Sequence, residues 1–165
     1  MRGADQLPGP VLEEWLVHAL RPARPAVVRG PGGGSGSGAA LRQRVAAVAG
    51  RYDWPVLEVG SAVPGGVEGL VVLTALGDAR VDPAIAGAVA AVRPGGMVVE
   101  LAHPPSLRPW QVLQWLRRTR VMRSAAELRA RAWLGHGLYA VEQWAPVDLP
   151  RVLVTCGRRR AIPGP

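Results

Sequence analysis

The residues that could do chemistry are few and lie far apart in the chain. Between Gly30 and Gly38 stand six glycines in nine residues, Gly-Pro-Gly-Gly-Gly-Ser-Gly-Ser-Gly. No helix or strand interior favours such a density, because glycine loses the most backbone freedom on ordering. A turn of this kind lets backbone approach a nucleoside closely, and a helix starting after it offers free N–H groups to an anionic or carboxylate-bearing ligand. A P-loop is excluded, since its phosphate cradle needs a lysine and the chain has none. Gly34-Ser35-Gly36-Ser37-Gly38-Ala39 also fits the Gly-x-Gly-x-x-Ala form of a dinucleotide turn. A tract so rich in glycine meets such patterns easily. His103, followed by Pro104 and Pro105, is a candidate base or substrate-orienting group, with a merely exposed loop histidine as the alternative. Cys156 is the single cysteine, so no intrachain disulfide or thiolate cluster can form. In Val152-Leu153-Val154-Thr155-Cys156 it reads as a buried strand thiol. His18 and His136 have no carboxylate or cysteine at partner spacing, and no metal site is expected.

The basic residues form a second group. All 20 are arginine, and the net charge of +8 creates a positive field that favours nucleic acid, anionic lipid or an acidic partner. Arg117, Arg118, Arg120, Arg123, Arg129 and Arg131 are interleaved with Trp110, Trp115 and Trp133. Charge and stacking surface together suit RNA; a solvated helix face with its tryptophans turned into a core is the plainer reading.

Elements that could position these groups follow from periodicity. The chain of 165 residues suits one α/β domain over residues 1–160, with 161–165 a frayed tail and the fraying expected from Arg158 onward. Val11–Leu20 has apolar residues at helical spacing and Glu13 and Glu14 in its first turn, where the helix dipole favours acids. Ala26–Arg29 is a short strand, and Leu41, Val45 and Val48 share one face of a helix over Ala39–Val48. A flexible linker is the other reading of the glycine tract, but residues 1–29 are too few for a core of their own. Strands are predicted at Pro55–Val59, Leu70–Thr74 and Met97–Leu101, with Asp82-Pro83 opening a helix that Pro94-Gly95-Gly96 breaks. Alternation of strand and helix implies a mostly parallel sheet covered on both faces. Helices over Pro109–Val121 and Ser124–Leu134 precede strands at Leu138–Trp144 and Arg151–Thr155. The link between those strands is too short for a crossover, so they form an antiparallel hairpin. The longest apolar runs, such as Gly69–Leu76, fall well short of the roughly 20 residues of a membrane span. The first residues lack the apolar stretch of a secretory signal, and a cytoplasmic location is expected.

A parallel sheet closed by an antiparallel hairpin resembles the class I S-adenosylmethionine-dependent methyltransferases, a Rossmann-like fold, and local strings agree. Val27-Val28-Arg29-Gly30-Pro31-Gly32-Gly33-Gly34 looks like that family's first strand and glycine-rich motif. Ala91-Val92-Arg93-Pro94-Gly95-Gly96-Met97-Val98-Val99 looks like its Pro-Gly-Gly turn and fifth strand. Gly137–Glu142 and Val152–Arg158 look like its closing strands. The resemblance implies S-adenosylmethionine as cofactor, with Gly30, Gly32 and Gly34 at its methionine end. Arg29 departs from the pattern, standing where the family has an acid that helps hold the cofactor's ammonium group; it either repels that cation or turns outward to solvent. The sheet is also one strand short. If Pro55–Val59 is the family's second strand, Glu58 holds the ribose hydroxyls. If it is the third, a strand–helix unit is missing, Ser61 replaces an acid beside the adenine, and Glu58 is only a strand residue. The short link to Leu70 favours the third.

These readings lead to a divergent methyltransferase-like protein acting on a small-molecule or RNA acceptor, to a pseudoenzyme of the same fold serving binding or assembly, or to a basic RNA-associated protein. A shortened sheet implies an edge that a second copy or a partner subunit covers.

Overall fold

The computed structural model describes residues 10–20, 26–28, 37–57, 65–75, 86, 89–103, 131–149 and 151–161. Six strands form one sheet: β1 (Ala26–Val28), β2 (Val56–Leu57), β3 (Val67–Ala75), β4 (Val92–His103), β5 (Leu138–Trp144) and β6 (Leu153–Arg159), in the order β2-β1-β3-β4-β6-β5. The first four run parallel, β6 runs antiparallel to β4, and β5 pairs antiparallel with β6. The predicted Rossmann-like mostly parallel sheet with an antiparallel C-terminal hairpin is therefore the observed one.

Helices α1 (Leu12–Leu20) and α2 (Ser37–Arg51) pack against one face. Leu12, Leu16 and Leu20 of α1 and Leu41, Val45, Val48 and Ala49 of α2 meet Val71, Leu73, Val99, Leu101 and Val154 of the sheet. The i, i+4 spacing lines these side chains along one stripe of each helix. On the other face Leu70, Val72 and Val98 join Val89, Trp133 and Leu138 in a second cluster. Because β3 pairs on both sides and is covered on both faces, Leu70, Val71, Val72 and Leu73 are all buried, which explains their unbroken apolar run.

Asp148, in the turn between β5 and β6, ties the layers together. Its Oδ1 accepts the Leu12 N–H at 3.1 Å and caps α1, while its Oδ2 accepts from Arg44 of α2 at 2.5 Å. Arg44 also meets Glu13 at 3.2 Å. Burial opposes ionisation of Asp148, but the hydrogen bonds from Leu12 and Arg44 outweigh it and hold the carboxyl below its ordinary range.

Pro94-Gly95-Gly96 behaves as a loop inside β4. The ladder steps from Val67 to Gly69 on β3 while β4 advances from Val92 to Met97. Gly95 adopts φ +79°, and a Cβ on Gly96 would lie 2.7 Å from the Glu68 carbonyl oxygen and 2.5 Å from Val92 Cγ1. The motif resolves a backbone crossing that only glycine permits.

Two expectations are corrected. The last strand begins at Leu153 rather than Arg151 and continues through Arg159, so Arg158 and Arg159 belong to the sheet rather than to a frayed tail. Arg158 donates to the Gly95 carbonyl at 3.1 Å, and Arg159 donates to the carbonyls of Ala90 and Val92, which hold both side chains against the sheet. Among the described residues, no helix is long and apolar enough to cross a membrane.

Candidate functional site

Parallel strands deliver their carboxyl ends to one edge of a sheet, and in open α/β folds that edge receives ligands. Here Val28, Ala75 and His103 end β1, β3 and β4, with Ala75 and His103 in register. The chain leaves β1 through the glycine tract and returns as α2, whose amino end must therefore lie at this same edge.

The structure brings two of these parts into contact. A Cβ added to Gly38, in the first turn of α2, would lie 2.6 Å from Cε1 and 2.8 Å from Nε2 of His103, so the imidazole rests directly on the glycine. His103 is half-buried and shares the α2 side of the sheet with Val99 and Leu101. The first turn of α2 carries no acidic residue, so its N–H groups and positive dipole end are not compensated from within the helix. What results is an edge with a helix amino end that no acid of its own first turn compensates, a close backbone approach and one titratable ring.

β2 bears on the role of Glu58. Val56 and Leu57 pair in parallel with Val27 and Val28, which seats β2 directly beside β1 on the side away from β3. That is the place of the second strand, and Glu58 is the next residue after its carboxyl end. The preference for a third strand, drawn from the short link, does not match this pairing. Glu58 itself lies outside the described residues, as do Arg29, Gly30, Gly32, Gly34 and Ser61.

The remaining candidates separate cleanly. Cys156 is buried among the α1 and α2 side chains, and burial, with the Glu142 charge, pushes its thiol up to about 11, which leaves it inert as a nucleophile. His18 and His136 are exposed. Arg117, Arg118, Arg120, Arg123, Arg129, Trp110 and Trp115 lie outside the described residues; Arg131 is exposed and Trp133 is core. Among the described residues, no group of His, Cys, Asp and Glu is arranged to hold a metal ion.

Sequence reasoning passed over Glu100. It is fully buried in β4 on the face opposite α2, accepts from Thr74 Oγ1 at 2.6 Å, and stands opposite Thr155 in the β4–β6 ladder. Gln143 of β5 donates to Thr155 Oγ1 at 3.2 Å, so a polar band crosses four strands just below the site edge. The signal was present as one carboxylate inside the apolar run Met97–Leu101.

The mostly parallel sheet with an antiparallel closing hairpin is as expected; the order β2-β1-β3-β4-β6-β5 adds that the last strand lies between the last parallel strand and β5. The fold is a Rossmann-like, mostly parallel sheet closed by an antiparallel hairpin. Solved structures resemble it at low identity. An O-methyltransferase family protein from Burkholderia thailandensis overlays with a TM-score of 0.49 and 17% identity, covering 90% of this chain and 58% of that one. The mitomycin 7-O-methyltransferase MmcR gives 0.49 and 16%, covering 84% and 49%. A SAM-dependent O-methyltransferase from Thermotoga maritima gives 0.46 and 13%, covering 98% and 69%. This chain thus spans little more than half the length of the first of these methyltransferases. No family model and no curated protein sequence matches it.

Proposed function

We propose that this chain binds S-adenosylmethionine, and its product S-adenosylhomocysteine, at the carboxyl edge of β1, β3 and β4, and transfers the methyl group to an acceptor there. The observation that carries the reading is the convergence of the α2 amino end with the β4 carboxyl end, seen in the His103 ring resting on Gly38. The residues present fit the cofactor. A helix amino end with no acid in its own first turn suits a carboxylate, and the His103 ring, resting on Gly38, stands beside it.

Within this reading the backbone of Gly30, Gly32 and Gly34 forms the turn against the methionine end, and the first N–H groups of α2 receive its carboxylate. Glu58, following the strand paired with β1, accepts hydrogen bonds from the ribose hydroxyls. The bound cofactor supplies an electrophilic methyl group on a sulfonium. His103 accepts the proton that the acceptor's hydroxyl or amine gives up, or orients that group toward the methyl carbon.

Arg29 favours a second reading. It directly follows the last residue of β1 in the sequence, at the position where the resemblance implies an acid holding the cofactor's ammonium group, and a cation in that role would repel it. A scaffold that has given up the cofactor follows from that charge. Isothermal titration with S-adenosylmethionine and S-adenosylhomocysteine separates the two: saturable heat supports the first, and no heat at millimolar ligand leaves the second.

A further inference from the structure

At the opposite end of the sheet, where β4 enters and β6 leaves, the charge has a different character. A cleft of about 200 Å³ lies there, with Val89 and Ala90 on its apolar side and His136, Arg159 and Arg160 around it. Arg159 is held in place by the Ala90 and Val92 carbonyls, and Arg158 by the Gly95 carbonyl. The Arg160 N–H is fixed to the Gly137 carbonyl at 2.9 Å. Arg93 nearby is met by Glu68 at 2.7 Å. Among the described residues no carboxylate pairs with Arg131, Arg158, Arg159 or Arg160, and backbone carbonyls hold the guanidinium groups of Arg158 and Arg159 in place. Tyr139 is exposed on the edge strand β5, directly opposite Arg158 in the ladder. The bulge after Tyr139, where Ala140 adopts φ +50°, interrupts the pairing at this point.

Ordered arginines and an exposed aromatic ring on a sheet edge are the components that hold a single strand, the charges tracking phosphates while a base stacks on the ring. We propose that this corner of the β5–β6 hairpin, built from Tyr139, Arg158, Arg160 and His136, binds single-stranded nucleic acid. The arginines point to an anion, and the exposed ring adds what a simple anion would not use. The binding is separate from the cofactor edge, because β4 runs its whole length from Val92 at this corner to His103 at the other.

The experiment is fluorescence anisotropy on the full chain with labelled oligouridine and oligodeoxythymidine of about ten nucleotides. With about three phosphate contacts, affinity should weaken about twentyfold between about 50 and 200 mM salt. Arg160→Glu and Tyr139→Ala, both at exposed positions, should each weaken binding about tenfold, with circular dichroism unchanged. The tighter of the two oligomers assigns the sugar. Absence of binding at low salt overturns the proposal. So does binding that neither substitution affects, which would place the contact on the arginines between Arg117 and Arg129, and so does a duplex of equal length bound as tightly as the single strand.

Discussion

Replacing Gly38 by alanine tests the contact on which the site is built. In an ordinary helix the change stabilises, because alanine exceeds glycine in helix propensity by up to about 1 kcal/mol. Here the new methyl carbon would sit 2.6 Å from His103 Cε1 and 2.8 Å from Nε2, closer than unbonded atoms approach. The imidazole is the far end of a side chain with two rotatable bonds, so it yields by swinging rather than by moving backbone. The cost belongs at the low end of overpacking, about 1 to 2 kcal/mol, and it cancels or exceeds the propensity gain. The Gly38→Ala variant should therefore be no more stable than wild type, or less stable by about 1 kcal/mol. In a His103→Ala background the obstruction is gone, and the same Gly38→Ala change should stabilise by about 0.5 to 1 kcal/mol. Urea denaturation of the four proteins closes the cycle, and the expected coupling is about 1 to 2 kcal/mol. An identical Gly38→Ala effect in both backgrounds would show that the ring does not rest on the helix, and the site would lose its one observed contact.

Gly96→Ala should be harsher, because two of the three obstructing atoms are backbone oxygens of Glu68 and Arg93; a loss of about 3 kcal/mol, read as a large drop in melting temperature, is expected. Asp148→Ala removes the α1 cap and a partner of Arg44, and should cost about 1 kcal/mol in urea titration. Because the folded Asp148 carboxyl lies below its ordinary range, its stabilisation is present above the unfolded value near about 4 and is lost as pH falls through the folded value. The alanine variant should accordingly show a weaker acid dependence than wild type. Cys156 should resist iodoacetamide at pH 8 about a hundredfold better in the native protein than in urea, as a thiol near 11 carries little thiolate there; equal rates would contradict its burial.

The legible parts of the molecule were those specified by local pattern. Leu41, Val45 and Val48 lie at helical spacing and share the buried face of α2. The apolar run of β3 reflects strands on both sides and cover on both faces. The hairpin followed from a connection too short to cross over. What stayed hidden depends on groups distant in sequence. Nothing local to Gly38 announces His103, and nothing local to Glu100 announces the Thr74 hydroxyl. Arg158 and Arg159 looked like a tail because charge clusters are usually solvated, yet carbonyls of Gly95, Ala90 and Val92 receive them. Pairing also decided against the loop-length argument for β2, since a short link to β3 did not prevent it from lying on the far side of β1.

Calorimetric titration of S-adenosylhomocysteine into the wild-type chain and into Glu58→Ala tests the central claim most directly. The account predicts saturable binding by wild type and a loss of about 1 to 3 kcal/mol in the variant, as a charged partner of the ribose hydroxyls disappears. No heat at millimolar ligand would contradict the cofactor site itself, and equal affinity of the two proteins would remove Glu58 from it.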